Sequence, residues 1–181
     1  MVEIVRRPIV WNALRYDREF DHTLAGDLLF EEVQEYNDAT TQVDQLDALV
    51  DIYFVSIGVL WKMGLNVEDV LQSGLQNTDA DESRSFKDLE HWLDRFLDTD
   101  TTVLQHTAVT QLIYTCFHMM RCMGLSEDEV EQAILIVCDS NDSKSVTKTA
   151  SNIKANKDKG PSFVKPESRL QLLLDGVSDA N

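Results

Sequence analysis

Two groups of carboxylates define the chemistry open to this chain. Phe30-Glu31-Glu32-Val33-Gln34-Glu35-Tyr36 gathers acids on a short stretch, and Asp44-Gln45-Leu46-Asp47-Ala48-Leu49-Val50-Asp51 sets further acids into a mostly apolar run. At helical spacing Glu32 and Glu35 (i, i+3), Glu31 and Glu35 (i, i+4), and Asp47 and Asp51 (i, i+4) project together. Carboxylates collected away from water repel one another and lose hydration, at several kcal/mol per ion, so such a cluster calls for a cation. Magnesium is the expected ion, because it takes hard oxygen ligands, keeps several waters and lets phosphate oxygens complete its octahedron. Ions of that kind neutralise a polyphosphate and activate a water for in-line attack.

Glu-Glu-x-x-Glu by itself reads better as a solvated helix face. The second segment decides between the two, since from Leu46 to Leu60 nearly every position other than Asp47, Asp51, Ser56 and Gly58 is apolar. A helix of that composition is surrounded by protein, and its aspartates then need a partner.

The elements that must hold these acids read as helices. A first is expected from about Asp21 to Ala39, with Leu24, Leu28, Leu29, Val33 and Tyr36 as its buried stripe. A second runs from about Gln45 to Met63 and ends at Gly64. Asn66-Val67-Glu68-Asp69 has the form of an N-cap with acids in the first turn. Residues 1–20 read as an irregular arm anchored by Trp11, Tyr16 and Phe20, and Gln72 to Ser85 as a polar linker. With only 3 Pro and 7 Gly in 181 residues and little alternation, the fold class expected is all-α, a helical bundle.

The net charge of -16 argues against a nucleic-acid partner, which needs a basic footprint, but not against a nucleotide held through metal ions. Charge is uneven: residues 1–138 hold 9 Lys and Arg against 26 Asp and Glu, whereas 139–181 hold 7 against 6. The odd cysteine count, Cys116, Cys122 and Cys138, without a Cys-x-x-Cys pair, suits a reducing compartment. No apolar run reaches the roughly 18 residues of a membrane span and the N-terminus lacks a signal-peptide core, so a cytoplasmic protein without membrane contact is expected.

The chain resembles itself at an offset of 60 residues. Leu29, Asp38, Thr41, Val43, Gln45, Ala48, Met63, Gly64, Leu65 and Val70 recur as Leu89, Asp98, Thr101, Val103, Gln105, Ala108, Met123, Gly124, Leu125 and Val130. An internal duplication is expected: 21–71 as the half with the acidic cluster, 81–138 as a degenerate half, 139–167 as a basic tail, all within one domain. In the second half Glu31, Glu32 and Glu35 become His91, Trp92 and Arg95, and Asp47 and Asp51 become Thr107 and Gln111. That half cannot bind the same ions.

Glu32-x-x-Glu35, followed by a helix carrying Asp51 before Met63-Gly64-Leu65, resembles the MazG-like all-α nucleoside triphosphate pyrophosphatases. That superfamily also holds dimeric dUTPases and phosphoribosyl-ATP pyrophosphohydrolases. The run from Leu46 to Gly58 is similar to phage-type members, and the resemblance covers about residues 16–71, returning at 139–167. It implies magnesium, replaceable by manganese, held by Glu32, Glu35 and Asp51, with Glu32 or Glu31 orienting the attacking water. The family motif has Glu-x-x-Asp in its second part. Here its first position is Ala48, which cannot ligate, so Asp47, at i, i+4 from Asp51, is the first candidate to substitute and Asp44 the second.

Ser140-Asn141-Asp142-Ser143-Lys144 and Lys157-Asp158-Lys159-Gly160-Pro161 resemble tail segments of the same phage-type members. Asn141, Lys144 and Lys159 are candidates for contact with phosphate oxygens, through an amide donor and mobile point charges. Asn12 is a candidate for the base. Because the clamp follows the second half and the acids lie in the first, one composite site between the halves is expected.

The function implied is hydrolysis of a nucleoside triphosphate, preferably deoxy, to the monophosphate and pyrophosphate. The role would be nucleotide pool control, in a host cytoplasm if the chain is phage-encoded, with homo-oligomerisation left open. The rival is a non-catalytic nucleotide sensor or scaffold. A carboxylate-bridged di-iron bundle needs Glu-x-x-His twice, and only Glu19-Phe20-Asp21-His22 fits.

Overall fold

A computed structural model describes residues 2–75, 84–144 and 161–179, and these form eight helices and no strand. They are α1 (Val2–Arg15), α2 (His22–Asp38), α3 (Gln42–Lys62), α4 (Val67–Leu75), α5 (Phe86–Leu97), α6 (Thr102–Cys122), α7 (Glu127–Asp142) and α8 (Glu167–Asp179). No helix among the described residues is long and apolar enough to cross a membrane.

The centre is a ring of four helices: α2 packs on α3, α3 on α6, α6 on α5, and α5 back on α2. Helix α3 is buried nearly all round, with Leu46, Leu49, Val50, Ile52, Tyr53, Ile57 and Leu60 fully inside. Its remaining sides are covered by α1, α4, α7 and α8. That accounts for its lack of a polar face. Cys116 and Cys138 are buried among apolar neighbours, which pushes the Cys138 thiol up to about 12, while Cys122 is exposed.

The two halves share their boundaries. Helix α3 starts after Thr41 and is capped by Met63, and α6 starts after Thr101 and is capped by Met123. Gly64 (φ 86) and Gly124 (φ 95) then take the left-handed turn that an L side chain resists. The helix that follows each turn crosses over: α4 packs on α6, and α7 packs on α3.

Two expectations are corrected. Residues 1–20 are not an irregular arm, because Val2–Arg15 form α1, with Ile4, Val5, Pro8, Asn12 and Arg15 on its buried side. Pro8 has no N–H to offer the Ile4 carbonyl one turn back. The Tyr53 hydroxyl donates to that carbonyl instead, at 3.2 Å, so α3 completes the helix. Among the described residues, the segment expected as a basic tail begins within α7 and ends at α8. Asp139–Asp142 close α7, Ser140 and Asn141 are buried there, and α8 follows with Leu170 and Leu174 in the core. The polar segment expected as a linker begins helical, since α4 continues to Leu75; residues 76–83 lie outside the described set, as do Lys157 and Lys159.

Candidate active site

Helix α2 starts at Asp21, whose carboxylate accepts the Leu24 backbone N–H at 3.0 Å. This start puts Leu24, Leu28 and Glu32, at i, i+4 and i+8, on one face. Helix α3 faces them with Asp51, Val55 and Val59 at the same spacing, flanked by Phe54, Gly58 and Lys62. These residues line a cavity of about 170 Å³. Trp11, Asn12 and Tyr16 of α1 and its following turn form another wall, and Asn141 and Lys144 complete it from the end of α7. Residues more than a hundred positions apart in sequence thus share one space.

The expected site residues are distributed as follows. Glu32, Asp51, Asn12, Asn141 and Lys144 all line the cavity. Glu31 is half-buried and Glu35 exposed, both outside the lining. Asp47 lies one turn before Asp51 and is partly buried, one of its oxygens (Oδ1) having no hydrogen-bond partner. Its carboxyl is pushed up to about 8, first by burial, then by the charges of Asp51, Glu167 and Glu35, with Lys144 opposing. Ala48, where the family motif carries a ligand, is buried against the core.

Among the described residues, no three His, Cys, Asp or Glu side chains converge to enclose a metal ion. The donors suit magnesium: they are hard carboxylate oxygens, one is buried without a partner, and burial, with the neighbouring carboxylate charges added to it, holds the Asp47 carboxyl above the usual carboxylate range. Magnesium commonly takes one or two carboxylates, with water and phosphate filling the rest of its shell.

Asn141 and Lys144 are held tightly. The Lys144 amine bonds the Asn141 Oδ1 at 2.6 Å, and the indole N–H of Trp11 donates to the Asn141 carbonyl at 2.9 Å. Phe163 lies 6.0 Å from the Lys144 amine, and the Val164 N–H donates to the Ser143 hydroxyl at 2.9 Å. Asn12 fits against α3 because position 58 has no side chain: a Cβ there would sit 2.8 Å from its Nδ2. That nitrogen also donates to the Pro8 carbonyl at 2.9 Å.

Residues 12–75 match the phosphoribosyl-ATP pyrophosphohydrolase family. The match covers about a third of the chain and agrees with the MazG-like resemblance at residues 16–71. It spans α2, α3 and α4, and so includes Asn12, Glu31, Glu32, Glu35, Asp47 and Asp51, but stops before α5. Asn141 and Lys144 are outside the pyrophosphohydrolase match and reach the cavity only through the fold. No curated protein and no solved structure matches the chain.

Sequence reasoning missed part of this lining. Tyr16, Asp21 and Lys62 belong to it, with the Lys62 amine 4.8 Å from the Tyr16 ring centroid and burial lowering its pKa. Glu167 adds a carboxylate beside Asp47, its Oε2 buried and unpartnered. Leu24 and Leu28, expected in the core stripe, are half-buried because they face the cavity. Their helical spacing was readable, but which side of the stripe faced a cavity depended on α1.

Proposed function

We propose that the chain is a magnesium-dependent nucleoside triphosphate pyrophosphohydrolase that cleaves between the α- and β-phosphates, giving the monophosphate and pyrophosphate. The observation that carries this reading is the cavity shared by Glu32 and Asp51, inside the pyrophosphohydrolase match, and Asn141 and Lys144, far outside it. Carboxylates sharing a cavity with an amide and an ammonium suit a polyphosphate: the carboxylates would hold a cation that neutralises its charge, and the amide and ammonium would bind phosphate oxygens.

The protein groups divide the work. Glu32 and Asp51, with Asp47, Glu31 and Glu35 around them, would hold the ion. Magnesium, or manganese in its place, would supply charge neutralisation and water activation. Glu32, as the α2 carboxylate in the lining, orients the attacking water and takes its proton; Glu31 is the other carboxylate considered for that role. Asn141 and Lys144 bind phosphate oxygens, as Lys159 of the same tail would. Trp11, Tyr16, Phe54 and the Leu24–Leu28 wall offer apolar and aromatic surface to the base, with Asn12 as its polar contact.

The preference for deoxynucleotides, the role in pool control and the phage-type origin rest on the Leu46–Gly58 pattern and the tail motif. The internal duplication is supported by the shared boundaries of α3 and α6 and by the crossed packing of α4 and α7. The sensor reading has one observation in its favour, the buried Ala48 at a ligand position.

Incubating the protein with magnesium and each common ribo- and deoxynucleoside triphosphate, and with phosphoribosyl-ATP, separates the two. Release of pyrophosphate and monophosphate from at least one is expected. Nucleotide binding without turnover of any of them would establish the sensor.

A further inference from the structure

Arg15 is 2% exposed, among the most completely buried large side chains of the protein, yet it does not line the cavity. Its hydrogen bonds among the described residues run to main-chain carbonyls, Nη1 to Trp11 at 3.4 Å and Nη2 to Lys144 at 3.2 Å, while Nε has no partner. The guanidinium lies 4.3 Å from the centre of the Trp11 ring, and burial disfavours its charge, with Asp142 the opposing influence. A guanidinium placed so deep without a bidentate carboxylate is a poor contributor to stability. Its position calls for another reason.

That reason lies at the end of α7. Lys144 is beyond the last helical residue; its N–H still bonds the Asn141 carbonyl at 3.2 Å, but its own carbonyl is held by Arg15, from which 129 positions of chain separate it. The Arg15 bond to its carbonyl and the Trp11 bond to the Asn141 carbonyl pin both candidate phosphate-binding residues to α1. A planar cation also suits the carbonyl-rich C-terminus of a helix, where the dipole favours positive charge. Lysine, a point charge on a flexible stem, would not span both carbonyls.

We infer that Arg15 is a positioning residue for phosphate binding, holding the main chain at Lys144 so that its amine and the Asn141 amide face the acidic wall of the cavity. This rests on the reading of Lys144 as a phosphate contact. Arg15 touches no substrate and acts through the backbone it holds.

The test is calorimetric titration with magnesium tripolyphosphate, which needs no knowledge of the base, at a temperature well below each variant's melting point. Lys144→Ala and Arg15→Met should each weaken binding by about tenfold, the loss expected for one charge-assisted contact. The double variant should bind no more weakly than Lys144→Ala alone, whereas a general loosening of the fold would add its effect. Arg15→Lys, which keeps the charge and one donor in a folded core, should recover part of the loss and serves if Arg15→Met does not fold. Weakened binding in Lys144→Ala with unchanged binding in the folded Arg15 variants, or additive losses in the double variant, would overturn the inference alone. Wild-type protein without affinity for magnesium tripolyphosphate, or an unaffected Lys144→Ala, would overturn the reading beneath it.

Discussion

Asp51 and Gln111 stand at the same step of two helices with corresponding starts, ends and caps, but they face different surroundings. Asp51 and, one turn on, Val55 open onto the cavity. Their counterparts Gln111 and Thr115 are both bonded by Nη1 of Arg84, at 2.8 and 3.2 Å. Where α2 carries Glu31, Glu32 and Glu35, α5 carries His91, Trp92 and Arg95, with the His91 and Trp92 rings in edge contact at 5.0 Å. One half keeps its carboxylates next to open volume. The other has no carboxylate at those positions, and the Arg84 side chain lies on the corresponding helix face. A common scaffold therefore does not imply a common site, because chemistry depends on which side chains face the gap between the helices and on what else enters it.

The largest effect should separate these equivalent positions. Asp51→Asn removes a carboxylate from the cavity and should lower turnover roughly 10²- to 10³-fold, in the range found when one preorganised electrostatic contact is lost. Gln111→Ala should leave turnover unchanged and lower the melting temperature, because it takes the shorter of the two Nη1 bonds from Arg84. Steady-state pyrophosphate release and thermal melts on both variants check this. Equal losses of activity would mean that the second half takes part in the chemistry.

Asp47 sharpens the contrast, since Thr107 at its counterpart is exposed and bonds its own helix at the Val103 carbonyl. Folded and metal-free, Asp47 keeps its proton up to about pH 8, whereas in the unfolded chain it loses it near pH 4. The folded state thus binds more protons between those values, and this group makes stability fall as pH rises through that window. Asp47→Asn should remove that part of the fall and raise the metal-free melting temperature at pH 8 by at least about 3 °C. Thr107→Asn should do neither. Melts with chelator at pH 5, 6.5 and 8 decide it, and a wild-type melting temperature that does not fall across them would remove the case for a crowded carboxylate.

The smallest effect should be shared. Gly64 and Gly124 both turn the chain at positive φ, so each Gly→Ala change should cost about 1 kcal/mol, or about 2–4 °C in melting temperature. A much larger cost at one of them would show that the matching boundaries conceal different packing.

The sequence made one part of this molecule legible and hid another. Helices α2 and α3 could be read because apolar residues recur at helical spacing and Gly64 marks an end. The acids could be read because aspartate is out of place in an apolar run. Helix α1 could not, since Pro8 suggests a break, Val2, Val10 and Leu14 are exposed, and its buried side includes the polar Asn12 and Arg15. Periodicity cannot show that the carbonyl freed by Pro8 is met by Tyr53, or that Gly58 leaves room for Asn12. Glu167 was hidden for a related reason: α8 buries only Leu170 and Leu174 among its described side chains, too few to stand out.

The proposed function requires that one chain hold one complete site, with acids from its first half and phosphate contacts from the end of α7. Mixing equal amounts of Asp51→Asn and Lys144→Ala protein and measuring pyrophosphate release at substrate levels where both are impaired tests it directly. If each site is built within a chain, the mixture shows the average of its parents. Recovery well above either parent would show that acids and clamp come together from different chains, and would contradict the account.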